Sequence, residues 1–427
     1  MSNRSTEKSK WQRIRKFFND IHLWLGLTSG LVVIAVCFSG TVYVFNTELT
    51  EKAAPHLYKV QLVAGKERIP ADSLIEKIRI ASRGSITSIA IPADLKRTYQ
   101  FTAKKEGDSL NRGSTTYFVN PYSGEITGTS KEKNGTKEFM STMFSLHRWL
   151  LLDRIKKPIF KSVTNKELGS IITGTATIIF TLGCLTGLII WFPQKIRSWR
   201  QGLKVKWNAG WKRINHDLHN SLALYALIFL LLMGLTGPQW SFEWYRNGLQ
   251  KTLGTYKPKD APKEKIPKSK LPGDKAVLSS LSVADYIREA DKQITYNGNY
   301  NITLPADSTA VAMITKTRTG FFAPAAGDRM TIDQYSGKLL KLDIFKNKSF
   351  NERVAGSIKA IHVGNVYGSF TKWLYFLACL IATSLPITGT MIWLNKMKKK
   401  SKSMKMEKKE ILSEGQLAYI TSSEKQK

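Results

Sequence analysis

The sequence of 427 residues predicts a membrane α-helical protein: a four-helix transmembrane bundle that arose by tandem duplication, with two exported α+β domains. Three observations support this fold class. Four apolar stretches reach membrane-spanning length, basic residues gather at alternate ends of those stretches, and short motifs recur at one fixed offset. The predicted boundaries are a basic N-terminus at 1–20, spans at 21–45, 168–192, 218–240 and 370–394, exported segments at 46–166 and 241–369, a cytoplasmic loop at 193–217 and a cytoplasmic tail at 395–427.

The four apolar stretches are long enough to cross a bilayer. A hydrocarbon core about 30 Å thick needs about 20 apolar residues in a helix. We expect the interiors of all four to be free of Lys, Arg, Asp and Glu, although the whole chain has a mean hydropathy of −0.21. A soluble protein can bury one such helix, but four of them favour an integral membrane protein. The first stretch is too long for a signal peptide, and no small-residue cleavage site follows it.

Basic residues predict the orientation of the spans. They precede the first span, fill the loop between the second and third, and follow the fourth, so the positive-inside rule makes these three regions cytoplasmic. Attraction to anionic headgroups accounts for much of the net charge of +33, and nucleic acid is not an expected partner. The basic residues concerned are Arg13, Arg15, Lys16, Lys195, Arg197, Arg200, Lys204, Lys206, Lys212, Arg213, Lys396, Lys398, Lys399 and Lys400.

The two exported segments repeat one pattern. Asp94 in Ile-Pro-Ala-Asp and Asp307 in Leu-Pro-Ala-Asp are 213 positions apart, and the same offset separates Tyr122 from Tyr335 in their Tyr-Ser-Gly turns. Each copy is predicted to contain a helix (71–81 and 283–290), a strand (85–91 and 300–304), and a hairpin around its Tyr-Ser-Gly turn.

Four of the six histidines lie where a span begins. His22 and His219 open spans that start at the cytoplasmic face, whereas His147 and His362 precede spans that start at the outer face. Neutral imidazole is the usual axial ligand of haem iron, so two ligands at each face predict two stacked haems in one bundle. His216 lies three residues before His219, on the same helical face, and is the alternative ligand.

A single histidine near a membrane interface is more often a hydrogen-bonded residue than a ligand, but four at repeat-equivalent positions favour haem. His56 has no counterpart in the repeat and receives no role. The cysteines Cys37, Cys184 and Cys379 show no metal-site spacing, and no C-x-x-C-H motif occurs. The haems are therefore expected to be b-type and held without covalent bonds.

The residues around these histidines resemble the PepSY-associated transmembrane family, and the exported copies resemble its PepSY domains. The resemblance covers nearly the whole chain and is specific in combination. One departure is Ala223, where the family tends to keep the glycine seen as Gly26. The motifs are Ile21-His22-Leu23-Trp24-Leu25-Gly26, Leu146-His147-Arg148-Trp149-Leu150, Asp217-Leu218-His219-Asn220 and Ile361-His362-Val363-Gly364, with a closing Thr-Gly and Trp in the second and fourth spans.

The family includes inner-membrane dihaem reductases of ferric siderophores. The resemblance therefore implies a bacterial inner-membrane protein that binds two haem b groups through His22, His219, His147 and His362, with no catalytic residues beyond haem. It implies outward electron transfer to a ferric siderophore or other ferric chelate, which releases ferrous iron. The sequence has no G-x-G-x-x-G fingerprint, so the electron donor is expected to be a separate cytoplasmic reductase or a membrane quinol.

Two other functions remain open from the sequence. The chain could be a haem b quinol oxidoreductase or an electron carrier with a protein acceptor. It could instead be a haem-free PepSY module that binds a peptide or regulates another protein.

Overall fold

The structure is a computed structural model that describes residues 10–105, 113–192, 199–258, 260–262, 267–272 and 280–424. The chain divides into two compact units. The first comprises Met1–Thr41, Ser145–Ser241 and Leu377–Lys427, and the second comprises Val42–Phe144 and Phe242–Phe376. Lys195 and Arg197 of the predicted cytoplasmic loop lie outside the described residues.

The described residues form twelve α-helices and eight β-strands. The helices are α1 (Lys10–Tyr43), α2 (Asn46–Ala53), α3 (Pro55–Tyr58), α4 (Ala71–Ser82), α5 (Gly135–Trp149), α6 (Asn165–Trp191), α7 (Trp199–Gly202), α8 (Trp211–Thr236), α9 (Glu243–Thr252), α10 (Val283–Gln293), α11 (Phe350–Val363) and α12 (Gly368–Glu424). The strands are β1 (Gly84–Ile91), β2 (Tyr99–Lys105), β3 (Thr115–Val119), β4 (Ile126–Thr129), β5 (Gly298–Thr303), β6 (Val311–Arg318), β7 (Asp328–Asp333) and β8 (Leu339–Asp343).

The four predicted spans are confirmed as helical segments long and apolar enough to cross a membrane. They occupy Trp11–Tyr43, Asn165–Trp191, Trp211–Trp240 and Gly368–Lys399. Most begin or end several residues beyond the predicted limits, because helical hydrogen bonding continues where hydropathy changes.

The expectation of a charge-free interior is wrong for the fourth span. Lys372 lies in the second turn of α12, where its ammonium group pairs with Glu48 of α2 at 2.6 Å. The side chain of Lys372 is only 12% exposed. The carboxylate partner compensates the charge, which explains how an apolar helix tolerates a lysine close to its start.

Small side chains allow the helices of the first unit to pack closely. A Cβ added to Gly234 of α8 would overlap the Thr181 hydroxyl oxygen of α6, so this approach requires glycine. Close contact through small residues is typical of helix pairs in membranes. The buried cluster between α8 and α12 consists of Ala226, Leu230, Ala378, Ala382 and Leu385.

The second unit is built on one antiparallel sheet with the strand order β4-β3-β2-β1-β5-β6-β7-β8. Two separate exported domains were expected, but β1 pairs with β5, with Ile89 opposite Ile302 and Ala90 opposite Asn301. Without this pairing, β1 and β5 would each be an edge strand with unpaired N–H and C=O groups. The pairing joins both four-stranded halves into one sheet.

Helices cover both faces of this sheet. Ile78 of α4 and Tyr286 of α10 belong to the main hydrophobic core with Val119 of β3. Leu57 of α3 packs instead against Phe118. Because neighbouring residues of a strand point to opposite faces, α3 and α4 lie on opposite faces of the sheet.

Both predicted hairpins are confirmed, and their turns share one geometry. In the first, the Asn120 amide donates to the Glu125 carbonyl at 2.8 Å; in the second, the Asp333 amide donates to the Lys338 carbonyl at 3.0 Å. Gly124 and Gly337 have φ values of +68° and +69°, which favour glycine.

Contacts around the turn tyrosines also recur at the offset of 213 positions. The Tyr122 hydroxyl donates to the Leu95 carbonyl, and the Tyr335 hydroxyl donates to the Ser308 carbonyl, both at 3.0 Å. The two halves of the sheet therefore match in local hydrogen bonding as well as in sequence.

Candidate cofactor site

The structure brings His22 of α1 and His219 of α8 together in the first unit. Their ring centres are 6.3 Å apart, and the ring planes are inclined at 80°. Metal–imidazole bonds are about 2 Å long, so two nitrogens on opposite sides of one metal are about 4 Å apart and the ring centres lie further out. The observed separation agrees with a pair of axial ligands.

Helix α6 holds the ring of His22. Its Nδ1 lies 3.0 Å from the Gly183 carbonyl oxygen and 3.1 Å from the Thr186 hydroxyl. A carbonyl can only accept, so Nδ1 carries the proton and donates it. In a neutral imidazole this leaves the lone pair on Nε2, the nitrogen that can bind a metal.

Helix α12 holds His219 in the same way. Its Nδ1 lies 2.9 Å from the Thr388 hydroxyl, which itself donates to the Ser384 or Leu385 carbonyl of α12 and therefore accepts from the ring. One turn before the histidine, the buried Asn215 amide donates to the Thr388 carbonyl at 3.1 Å, which links α8 to α12. The proton of His219 is therefore assigned to Nδ1 as well.

A glycine lies against each of these rings. A Cβ on Gly187 would come within 3.2 Å of His22 Cε1, and a Cβ on Gly389 would come equally close to His219 Cε1. These glycines follow Thr186 and Thr388 directly in the chain. Each Thr-Gly pair thus supplies a hydrogen-bond acceptor and the space for one imidazole.

His147 has a similar environment in the first unit. Its Nδ1 donates to the Val36 carbonyl of α1 at 2.9 Å. A Cβ on Gly40, one turn further along α1, would lie 3.2 Å from His147 Cε1. The neighbouring Arg148 donates to the Trp240 carbonyl at 3.3 Å.

His362 belongs to the second unit. It lies on α11 two residues before Gly364, whose φ of +74° ends that helix, and a Cβ on Gly364 would overlap the ring of Tyr375. The pairing of His147 with His362 stays a prediction from the sequence.

His216 occupies a different environment from His219. Its side chain is 49% exposed, and its Nδ1 lies 3.6 Å from the Asp217 carboxylate. The Asn220 amide also contacts its ring at 3.3 Å. The structure thus packs His219, and not His216, against α12 beside His22.

Sequence reasoning missed the roles of the threonines and glycines that hold the imidazoles. Their signal was present, because Thr186-Gly187 and Thr388-Gly389 recur at the ends of the second and fourth spans. Recurrence alone did not connect these pairs with His22 and His219. That connection depends on how the helices pack.

The chemistry of the donor set fits haem. His22 and His219 both direct their proton-bearing Nδ1 towards a neighbouring helix, which leaves Nε2 as the donor nitrogen of each. Among the described residues, no cluster of three or more His, Cys, Asp or Glu side chains could hold a bare metal ion. Two imidazoles suffice for an iron whose other four ligands come from a macrocycle.

His56 lies in the second unit, beside a cleft bordered by α2, α3 and the start of α5. Its Nε2 lies 3.0 Å from the Glu132 carboxylate, and its side chain is about half exposed. This hydrogen bond connects α3 with the segment that follows β4. The pairing gives His56 a structural role in the surface of the second unit.

Comparison with known proteins agrees with the fold. A search of curated proteins gave no match to the chain. The family model described as the PepSY-associated TM region matches residues 20–396. This range includes the second and third candidate spans, most of the first and fourth, the eight-stranded sheet and the four histidines at the span starts. The chain therefore belongs to the PepSY-associated transmembrane family.

Proposed function

We propose that this protein is a dihaem b oxidoreductase of the bacterial inner membrane, which carries electrons outward and reduces a ferric siderophore or another ferric chelate. The observation that carries the proposal is the His22–His219 pair, with ring centres 6.3 Å apart and Nδ1 of each ring engaged by a neighbouring helix. Membership of the family supports the same assignment.

His22 and His219 would hold one haem, and His147 and His362 would hold the other. Haem iron supplies one-electron redox chemistry when bound. The chain itself orients the ligands. Gly183, Thr186 and Thr388 fix the tautomers of His22 and His219, which we call the inner pair, and the apolar spans exclude water. A fixed Nδ1 hydrogen bond also raises the basicity of the ligand nitrogen.

A tandem duplication would explain why these features occur twice. The matched turns of the sheet and the matched Thr-Gly contacts of His22 and His219 support it. Under this proposal each half contributes one ligand to each haem, because His22 and His147 come from the first half and His219 and His362 from the second.

The direction of transfer follows from the proposed orientation, with both termini in the cytoplasm. The inner pair would then receive electrons from a cytoplasmic reductase or a membrane quinol. The sheet unit would lie outside, where it meets the ferric chelate. Reduction of ferric to ferrous iron weakens chelation by oxygen-rich ligands, and the released ferrous ion becomes available for uptake.

The proposal is tested with purified protein in oriented vesicles that contain a trapped reductant. We expect two haems per chain and reduction of an impermeant external ferric chelate. His22→Ala and His219→Ala should each remove the same haem, and His147→Ala should stop external reduction. Haem content measured as the pyridine complex and ferrous iron measured with an external chromogenic chelator give the two results.

The matched control is His216→Ala, which changes an exposed imidazole on the same helix as His219 and should keep both haems. Absence of haem in freshly purified protein would contradict the proposal and favour the haem-free module. Loss of haem in His216→Ala but not in His219→Ala would reassign the ligand. Haem oxidation without ferrous product would favour an electron carrier with a different acceptor.

A further inference from the structure

The connection between β6 and β7 carries two exposed aromatic rings. Phe321 and Phe322 are 53% and 64% exposed, and they are adjacent in a loop of the second unit. In the sequence, the equivalent connection of the first half, 106–114, has no aromatic residue. The hairpin therefore does not require these rings, and neighbouring exposed phenylalanines are typical of an interaction surface.

This loop is attached to the start of the fourth candidate span. The Ala325 amide donates to the Val366 carbonyl at 3.1 Å, and the Phe370 amide approaches the Phe321 carbonyl at 3.4 Å. A Cβ on Gly368, the first residue of that span, would lie 2.8 Å from the Phe321 carbonyl oxygen. The loop backbone thus packs directly on the residue where the span begins.

Phe45 packs against the first turns of the fourth candidate span. It lies just beyond Tyr43, where the first span ends, and its ring centre is 4.8 Å from that of Trp373 and 5.6 Å from that of Phe376. The end of the first span and the start of the fourth therefore meet within the second unit. If both helices cross the membrane, the boundary of the bilayer lies at this level.

Exposed aromatic residues continue from the loop onto the span. The ring centre of Phe322 lies 5.1 Å from that of Phe370. Tyr367 and Trp373 are each 53% exposed on the same segment. Tyrosine and tryptophan are enriched where a protein meets lipid headgroups, because their rings are apolar at one end and polar at the other.

We propose that Phe321 and Phe322 insert into the bilayer at the boundary between headgroups and hydrocarbon, in the leaflet where the first span ends and the fourth begins. The partner is lipid, because the exposed rings continue the apolar surface of the span and their loop is hydrogen-bonded to its first turn and to Val366 just before it. This contact anchors the second half of the sheet to the membrane. It does not depend on the haem assignment.

The test uses nitroxide spin labels on the full-length protein in nanodiscs of phosphatidylethanolamine and phosphatidylglycerol, with the three native cysteines replaced. Phe322→Cys places the label in the loop. We expect collision with molecular oxygen, which concentrates in hydrocarbon, to exceed collision with a water-soluble nickel chelate. Ala323→Cys keeps both rings and reports on the same loop if Phe322→Cys does not fold.

Ile80→Cys is the matched control. Ile80 is 70% exposed on α4, which packs on the face of the sheet opposite to α3, the second helix after the first span. We expect the nickel chelate to dominate there. If the loop label resembles the Ile80 label, the loop lies in water and the proposal is wrong. If the loop label is shielded from both reagents, a protein contact covers the loop and the proposal is also wrong.

Discussion

At the scale of single residues, the contact between an imidazole and a glycine of the neighbouring helix is the most informative feature. His22, His147 and His219 each have such a contact, and each directs Nδ1 to an acceptor on a neighbouring helix. An interfacial histidine needs neither feature. Two constraints on one ring fix both its position and its tautomer, which an axial ligand requires.

The glycines that contact the imidazoles should be sensitive to a single methyl group. Gly187→Ala or Gly389→Ala would bring Cβ within 3.2 Å of a histidine ring, so the ring must shift. Overpacking of this kind costs about 1–3 kcal/mol. If the proposed function is correct, His22 and His219 bind one haem. We then expect lower occupancy of that haem and a changed visible spectrum, both measured on purified protein.

Gly248→Ala is the control, because a Cβ on this helical glycine would meet no atom within 4 Å. It should leave haem content and spectrum unchanged. Full haem content with an unchanged spectrum in both Gly187→Ala and Gly389→Ala would show that the contacts do not position a ligand.

The sequence identified the histidines but not the residues that hold them. A histidine at the start of an apolar stretch is visible in a one-dimensional pattern. The partners of His22 lie more than 160 positions away, at Gly183 and Thr186, and only helix packing brings them together. The distinction between His216 and His219 has the same origin, because two residues on one face of a helix can still differ in what packs beside them.

At the scale of elements, Asp72 links the two halves of the sheet unit through a helix end. Its carboxylate, at the start of α4, accepts from the Val283 amide at 2.7 Å and from the Ala284 amide at 3.2 Å. Both amides belong to the first turn of α10, where helical N–H groups have no intrahelical partner. The negative charge also interacts favourably with the helix dipole.

Removal of this carboxylate should loosen the start of α10. For Asp72→Ala we expect a local loss of about 1 kcal/mol, as for other lost helix caps. Hydrogen–deuterium exchange of a peptide that covers the first turn of α10 should become about fivefold faster. The capping box of Ser282 and Asp285 remains in place and limits the effect to the first amides.

Glu76→Ala provides the comparison on the same helix. Its ion pair with Arg79 is well exposed, so its removal should leave exchange in α10 unchanged. Equal exchange rates in Asp72→Ala and wild type would mean that water replaces the carboxylate without a loss of stability in the first turn of α10.

Turns and helix cores were easier to predict than helix ends. Asn-Pro-Tyr-Ser-Gly and Asp-Gln-Tyr-Ser-Gly have local physical reasons to turn, and both hairpins were found. The first span was predicted from residue 21, whereas α1 begins at Lys10. Hydropathy marks where an apolar environment starts, but the basic residues before it are also good helix formers.

At the scale of the whole molecule, the continuous sheet couples two halves that the sequence presents as separate domains. The repeat predicted the strands of each copy. It could not predict that β1 pairs with β5, because edge-strand pairing depends on contacts between residues about 200 positions apart. This coupling has a consequence for acid stability.

Carboxyl groups with a lowered pKa lie in the second half of the sheet unit. Burial alone would raise the pKa of Asp333, but hydrogen bonds from the amides of Ser336, Lys270 and Tyr335 outweigh it and hold the pKa below its ordinary value. Hydrogen bonds from Ser282, Thr309 and Ser349 lower the pKa of Asp285, Asp307 and Glu352. Among the described residues outside the candidate spans, these are the four carboxyl groups whose pKa is lowered.

A carboxyl group whose pKa is lowered by folding stabilises the folded state at pH values above its ordinary pKa. That stability is lost as the pH falls through the pKa of the folded state. We expect the sheet unit to lose stability progressively below about pH 4. Because β1 and β5 are paired, strands of both halves should lose protection over the same pH range. Hydrogen exchange corrected for its intrinsic pH dependence measures this.

Asp333→Asn should reduce the dependence on pH below 4, because an amide does not titrate there. Loss of protection in β5–β8 while β1–β4 stay protected would show that the two halves unfold independently. The pairing of β1 with β5 would then add little to the stability of either half.

The antiparallel pairing of β1 with β5, called the seam below, also indicates where the chain could be split into two polypeptides. Either half translated alone would present one additional unpaired strand edge, and the edge of β1 accepts a partner of opposite direction. Two polypeptides made from separate messages could therefore reassemble along this seam without a covalent connection. A half-length polypeptide without its complement would have a second molecule of itself as the nearest available partner, so a symmetric homodimer is the expected product.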